Sequence, residues 1–181
     1  MAVLVLGGMV LGTRCAVPAR ADQSEGFISR EAPLKALFLY NFGHYVEWPE
    51  DAFTSADQPF VIGILGTAPV HASLREIAAT RTVAERRIVI KQFASPDAIE
   101  PCHILFVGST VPAPLAQRAV ARLKGLPVLT VGEMPGFAAQ GGCINFFIQD
   151  NKIRFEVNLE AARQQRLKVS AKLLALAKIV P

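Results

Sequence analysis

The side chains of this sequence that could do chemistry are few and far apart. His44, His71 and His103 are separated by tens of residues, no C-x-x-C pair occurs, and Cys102 and His103 are neighbours. On a strand, neighbouring residues point to opposite faces, so this last pair cannot share a metal. No metal site is expected. A G-x-S-x-G elbow is missing, and neither Cys102 nor Cys143 has a His and Asn partner that spacing can assign, so nucleophilic hydrolysis is not indicated. Glu47, Glu50 and Asp51 gather around Trp48. Acids at the end of an amphipathic helix read as solvated surface rather than as a catalytic carboxylate pair.

Two glycine-led turns are better candidates for binding. Gly66-Thr67 and Gly108-Ser109-Thr110 each follow an apolar strand-like run. Ligands of open α/β sheets dock at such strand carboxyl ends. A small anionic ligand at Gly108, Ser109 and Thr110 is one reading, and ordinary turn chemistry is the other. The first turn, Gly63-Ile64-Leu65-Gly66-Thr67-Ala68, lacks G-x-G-x-x-G. A dinucleotide is therefore not expected, and no cofactor is.

The elements that would position these residues alternate. Leu34, Leu37, Phe38, Tyr40, Asn41, Phe42, Tyr45, Val46 and Trp48 recur at helical spacing up to Pro49. Strands are expected at 59–66, 87–91, 103–107 and 127–131, with helices at 72–79 and 114–124 and a helical turn at 96–99. The strand, helix, strand rhythm predicts parallel pairing with right-handed crossovers. After Gly136, Cys143–Ile148 and Ile153–Val157 flank the polar stretch Gln149-Asp150-Asn151-Lys152, which predicts an antiparallel hairpin. Leu159 to Ile179 reads as a helix bent near Leu167–Ser170, with Ser170 capping its last part. Its Arg163, Arg166, Lys168, Lys172 and Lys178 would form a basic back, either solvated or facing a protein partner. The expected fold is a three-layer α/β/α sandwich. Its mostly parallel sheet has about six strands and ends in the hairpin.

Composition and ends set the context. At 181 residues, with 51% hydrophobic and 19% charged residues, the chain suits one globular domain. Ala2 to Thr13 is an apolar stretch too short for the ~20 residues a membrane-spanning helix needs. Ala19-Arg20-Ala21 then offers an A-x-A cleavage pattern. Residues 1–21 are therefore expected to be a signal peptide cleaved after Ala21, with a short uncleaved anchor as the alternative. Residues 22–28 would be a leader and 29–181 the domain. Arg14 before Cys15 argues against a lipoprotein. Taking Arg14 and Arg20 out of the 19 basic residues leaves 17 against 15 acids, a net charge of +2. With bases and acids interleaved, nucleic acid is not an expected partner. In an oxidising compartment Cys102 and Cys143 are either a disulfide or two small core hydrophobes, and spacing leaves both open.

A resemblance adds what composition cannot. Lys35-Ala36-Leu37-Phe38-Leu39-Tyr40-Asn41-Phe42, continuing to Tyr45-Val46-Glu47-Trp48-Pro49, resembles the opening helix of the YfiR family. Similar blocks recur in order at Cys102–Val107, Gly125–Val131, Gly136-Phe137-Ala138, Gly141-Gly142 to Phe146, and Phe155–Ala162 through to Leu174. The resemblance implies a periplasmic repressor, not an enzyme, that binds the periplasmic region of a membrane-anchored diguanylate cyclase. An outer-membrane lipoprotein would sequester it, cyclic-di-GMP would then rise and favour biofilm, and the repressor would form a homodimer. It also implies partner contact at Glu156, then Asn158, Leu159 and Lys168. Against this, Asn158 could cap the following helix and Glu156 could pair with Arg154 or Lys152. Lys168 and Ser170 fall where some relatives carry a basic pair for a small anion, which adds Ser170 to the candidate ligand residues. Some relatives are redox-sensitive. Here Cys102 matches a family cysteine, but Gly63 stands where some members have its partner thiol, and Cys143 stands where methionine is common.

Overall fold

The structure, a computed structural model, describes residues 21–181, with side chains from Arg30 onward. The expected signal segment therefore lies outside the described residues, except for Ala21. The first helix, α1 (Ala21–Tyr45), begins at the last residue of the expected signal segment, runs through the expected leader and carries Pro33 inside it. It ends three residues earlier than the apolar spacing predicts. Val46–Glu47 instead forms β1, antiparallel to β9 (Lys168–Val169) in a two-stranded ribbon. Partners more than a hundred residues away decide the backbone there, which local periodicity cannot register.

The main sheet has eight strands, two more than expected. In chain order they are β2 (Phe60–Leu65), β3 (Thr82–Val83), β4 (Arg86–Phe93), β5 (Ile104–Val107), β6 (Leu129–Gly132), β7 (Ile144–Gln149), β8 (Lys152–Asn158) and β10 (Lys178–Val180). Their spatial order is β10-β8-β7-β6-β5-β2-β4-β3. Strands β4, β2, β5, β6 and β7 are parallel, so β2 sits between the next two parallel strands to form. The chain reverses its direction of travel at β2/β5, the topological switch point of a doubly wound sheet. Right-handed crossovers then put α2 (Val70–Thr80) and α3 (Ala113–Leu123) on opposite faces. Strands β7 and β8 form the expected hairpin. Asp150 and Asn151 both take left-handed conformations (φ 51° and 56°), as a two-residue primed turn requires.

Core residues segregate by face. Under α1 and α2 lie Phe42, Phe60, Ile62, Ile64, Ile104, Phe106, Leu129, Ile144, Phe146, Phe155 and Val157. On the α3 side lie Val61, Leu65, Leu105, Val107, Ala116, Ala119 and Phe137. That second cluster contains no residue of β7 or β8, so the third layer stops short of the hairpin. Strand alternation places Asn145, Phe147, Arg154 and Glu156 on this uncovered side.

The expected long basic C-terminal helix is corrected by the structure. In its place are α4 (Leu159–Gln164), β9, α5 (Ala171–Leu174) and β10, which runs parallel to β8 at the sheet edge. The predicted caps do form. Asn158 Oδ1 accepts from the Ala161 amide at 2.8 Å, and Ser170 Oγ accepts from the Leu173 amide at 3.3 Å. The basic side chains are dispersed accordingly: Arg166 meets Asp51 at 2.7 Å, while Lys178 lies beside Glu156. No described helix is long and apolar enough to cross a membrane.

Helix α1 is held down by aromatic packing. Phe42, fully buried, stacks on Phe146 at 5.7 Å between centroids and meets Phe155 edge-on at 5.4 Å, with Phe38 at the border of the group. Phe42→Ala is expected to destabilise the fold by about 3–5 kcal/mol. Urea unfolding would show this as a lower midpoint with an unchanged slope; a loss under about 1 kcal/mol would mean that these rings do not anchor the helix.

Candidate functional site

At the carboxyl edge of the sheet a buried cation joins three elements. Lys35 of α1 is 8% exposed, and its Nζ lies 2.5 Å from Glu31 Oε1 and 2.5 Å from Glu133 Oε2. Glu133 follows β6, and its other oxygen accepts from the Ser109 amide, after β5, at 2.8 Å. Burial pulls the Lys35 pKa down, but the two carboxylates outweigh it and hold the ammonium above its ordinary value. The segment after β6 is fixed by Phe137, whose ring lies over two glycines. A Cβ on Gly132 would come within 2.4 Å of it and one on Gly142 within 2.2 Å. Any larger residue at either position would displace the turn that carries Glu133.

This arrangement engages part of the donor set of the candidate anion site at Gly108, Ser109 and Thr110. Those residues stand at the strand carboxyl ends beside the switch point, as expected. However, the Ser109 amide is engaged by the protein's own carboxylate, and Thr110 Oγ1 donates to the Thr67 carbonyl at 3.0 Å. Gln92 Nε2 donates to the Gly66 carbonyl at 2.7 Å. Ser170 does not join them. Its amide bonds the Tyr45 carbonyl, ten residues along α1 from Lys35, which is roughly 15 Å of helix at 1.5 Å per residue.

One of the open spaces lies next to the clamp. A cleft of about 510 Å³ extends from Lys35, Ser109 and Glu133 past Pro135 to Asn145, Phe147, Glu156 and Lys178. Glu156 is half-buried and accepts from Asn145 Nδ2 at 3.3 Å, while Lys178 Nζ comes only to 3.9 Å. Asn145 is 3% exposed, and its Oδ1 has no hydrogen-bond partner among the described residues.

The expected partner-contact residues do not form one patch. Only Glu156 opens on this cleft. Asn158 is buried, and besides capping α4 it donates to the Ala138 and Pro181 carbonyls, each at 2.9 Å. Leu159 packs against the α1-side core. Lys168 is exposed on β9, paired in register with Glu47.

The other sequence candidates fall elsewhere. Cys102 and Cys143 are free thiols, and the disulfide is not made: Cys102 belongs to the α3-side core and Cys143 to the α1-side core, with the sheet between them. Both are core hydrophobes. Burial pushes the Cys102 thiol up to about 12 and the Cys143 thiol to about 11, and Cys143 Sγ donates to Gln165 Oε1 at 2.8 Å. His103 is sandwiched between Phe53 and Phe60, with centroids at 4.4 and 4.9 Å. Its Nδ1 accepts from the Val61 amide at 2.9 Å, and its Nε2 lies 3.3 Å from the Ala52 carbonyl. Burial, with Arg86 adding to it, holds this imidazole below its ordinary pKa. His44 packs edge-on against Tyr40 on α1, and His71 opens α2.

Sequence reasoning missed Lys35, Glu133 and Asn145. The available signals were the i, i+4 spacing of Glu31 and Lys35 beside an apolar stripe and an asparagine inside a buried strand run. For Glu133 there was only its place just beyond a strand. The family model described as YfiR/HmsC-like (DUF4154) matches residues 32–178, which takes in both faces of the sheet and, apart from Glu31, the clamp and the cleft.

Two outcomes check this geometry. Lys35→Met strands two carboxylates and should cost about 3 kcal/mol, part of which Lys35→Met/Glu133→Gln should recover; a fully additive double variant would mean that the pair is not coupled. His103 has a folded pKa below its unfolded one, so its contribution is intact above the unfolded value of about 6.5 and falls as pH drops from there toward the folded value. Urea midpoints across pH 7.5 to 5 should decline more steeply for wild type than for His103→Gln, and parallel curves would remove His103 as the cause.

Proposed function

The chain belongs to the YfiR/HmsC-like family of periplasmic, non-catalytic regulators in diguanylate cyclase signalling, and from this we propose that it represses an inner-membrane diguanylate cyclase by binding the cyclase's periplasmic region. The family match over 32–178 carries this reading. The protein would be exported by cleavage after Ala21 and act as a homodimer, and an outer-membrane lipoprotein would relieve repression by sequestering it. Repression lowers cyclic-di-GMP and restrains biofilm formation.

Glu156 is the contact residue this reading favours. It stands on the face of the hairpin that α3 does not reach, half-buried with its nearest cation, the exposed Lys178, at 3.9 Å, where a partner's basic group would gain more than at a fully solvated acid. Control is by mass action: the repressor shifts the cyclase toward whichever conformation it binds more tightly. A tenfold shift requires about 1.4 kcal/mol of differential affinity. A second reading, a small-ligand sensor, is favoured by the unpartnered Asn145 Oδ1 in the same cleft.

Deleting the gene should raise cellular cyclic-di-GMP, and wild-type protein should restore it. Glu156→Lys should fail to restore it at equal protein level, with Glu156→Ala intermediate. Unchanged cyclic-di-GMP on deletion would overturn the repressor role, and full complementation by Glu156→Lys would overturn the contact assignment alone.

A further inference from the structure

The cleft beside the hairpin holds one buried acceptor that lacks a donor among the described residues, the Oδ1 of Asn145. Strands β7 and β8 pair Asn145 with Glu156 in register, and β10 pairs Lys178 with Glu156 from the other side, so the three side chains share one face of the sheet. The nearby cations leave this group incompletely satisfied. Lys35 is engaged by Glu31 and Glu133, and Lys178 is two-thirds exposed, reaching Glu156 only at 3.9 Å. Asn145 spends its Nδ2 on Glu156 at 3.3 Å, which leaves its Oδ1 a buried acceptor with no donor among the described residues. Such an atom is uncommon in a folded protein and calls for an occupant.

The chemistry of that occupant follows from the lining. Beside a carboxylate, the missing donor is a cation, and the three glutamates of the lining outnumber its two lysines, which opposes an anion. Phe147, Ile148 and Pro135 supply an apolar wall along the open side. We propose that the cleft between the β7–β8 hairpin and the turn after β6 binds a small organic ammonium ion carrying an apolar arm, its N–H groups donating to the Glu156 carboxylate and Asn145 Oδ1. Lys178 is free to swing into solvent as the ligand ammonium takes its place. Charge-assisted donation to a half-buried carboxylate supplies the affinity, and the flanking apolar surface selects against bare ammonium. This site requires no cyclase, so it stands or falls separately from the repressor reading.

The test uses the purified protein with hexylamine as probe and hexanoate as its charge-reversed match, followed by calorimetry and by amide NMR. Hexylamine should bind saturably with a Kd of about 1 mM or tighter and shift the Asn145 side-chain amide signals, while hexanoate should do neither. Glu156→Gln should weaken hexylamine binding about tenfold or more, whereas Glu160→Gln on the exposed side of α4 should leave it unchanged. Equal binding of hexanoate, undiminished binding by Glu156→Gln, or Asn145 signals that stay fixed in wild type at saturating hexylamine would each overturn the proposal. The last readout decides the matter even if Glu156→Gln does not fold. Amine binding that persists in a protein unable to repress the cyclase would separate the two readings.

Discussion

The ammonium of Lys35 is the point on which the carboxyl edge of the sheet depends. Withdrawing a lysine from water is costly, and two carboxylates at 2.5 Å offset that cost only because both are brought to it by the fold. Glu31 comes from one turn earlier in α1, but Glu133 comes from the end of β6, nearly a hundred residues on. The clamp therefore sets the position of α1 over the sheet and, through the Ser109 amide, the turn after β5. The aromatic packing of Phe38 and Phe42 on Phe146 and Phe155 holds the same helix by non-directional burial. The ion pairs add orientation, since only one placement satisfies all three charged groups.

This constraint changes where a binding partner can act. In doubly wound sheets the crevice at the switch point is the usual ligand position, because strand ends and helix amides diverge there. In this protein the strand-end turns are tied internally by Glu133, Thr110 and Gln92, each bonded to backbone or to Lys35, and Gln92 and Thr110 line an open cleft of about 610 Å³ there. A second open surface lies to the side of it, by the hairpin that α3 does not reach. That face carries an incompletely satisfied polar group, Asn145 with Glu156, rather than a dry core. A regulator needs such a face more than it needs a deep pocket, because a partner gains affinity by supplying donors that the free protein lacks.

The cysteines and His103 illustrate the opposite case, in which chemically capable groups are put to structural use. Two thiols held above their ordinary pKa in separate cores are poor nucleophiles, and the sheet between them keeps them from pairing. His103, just before β5, ties β2 through Nδ1 and Phe60 to the segment preceding it through Nε2 and Phe53.

Much of the fold is legible in the sequence, because continuous apolar runs such as Phe60–Leu65 and Ile104–Val107 have few alternatives to a strand buried on both faces. The alternation of those runs with helices determined the class, and Asp150-Asn151 determined the hairpin. The caps at Asn158 and Ser170 were equally local. The tertiary structure decided the rest. Whether Val46, Lys168 and Ile179 are helical or extended depends on strands that reach them from distant sequence, and such pairing overrides local periodicity. Of the candidate site, Glu156 was named from a resemblance, whereas Lys35, Glu133 and Asn145 gave little local sign of their role. What distinguishes them is burial beside one another, and burial is a property of the assembled layers that no spacing along the chain encodes.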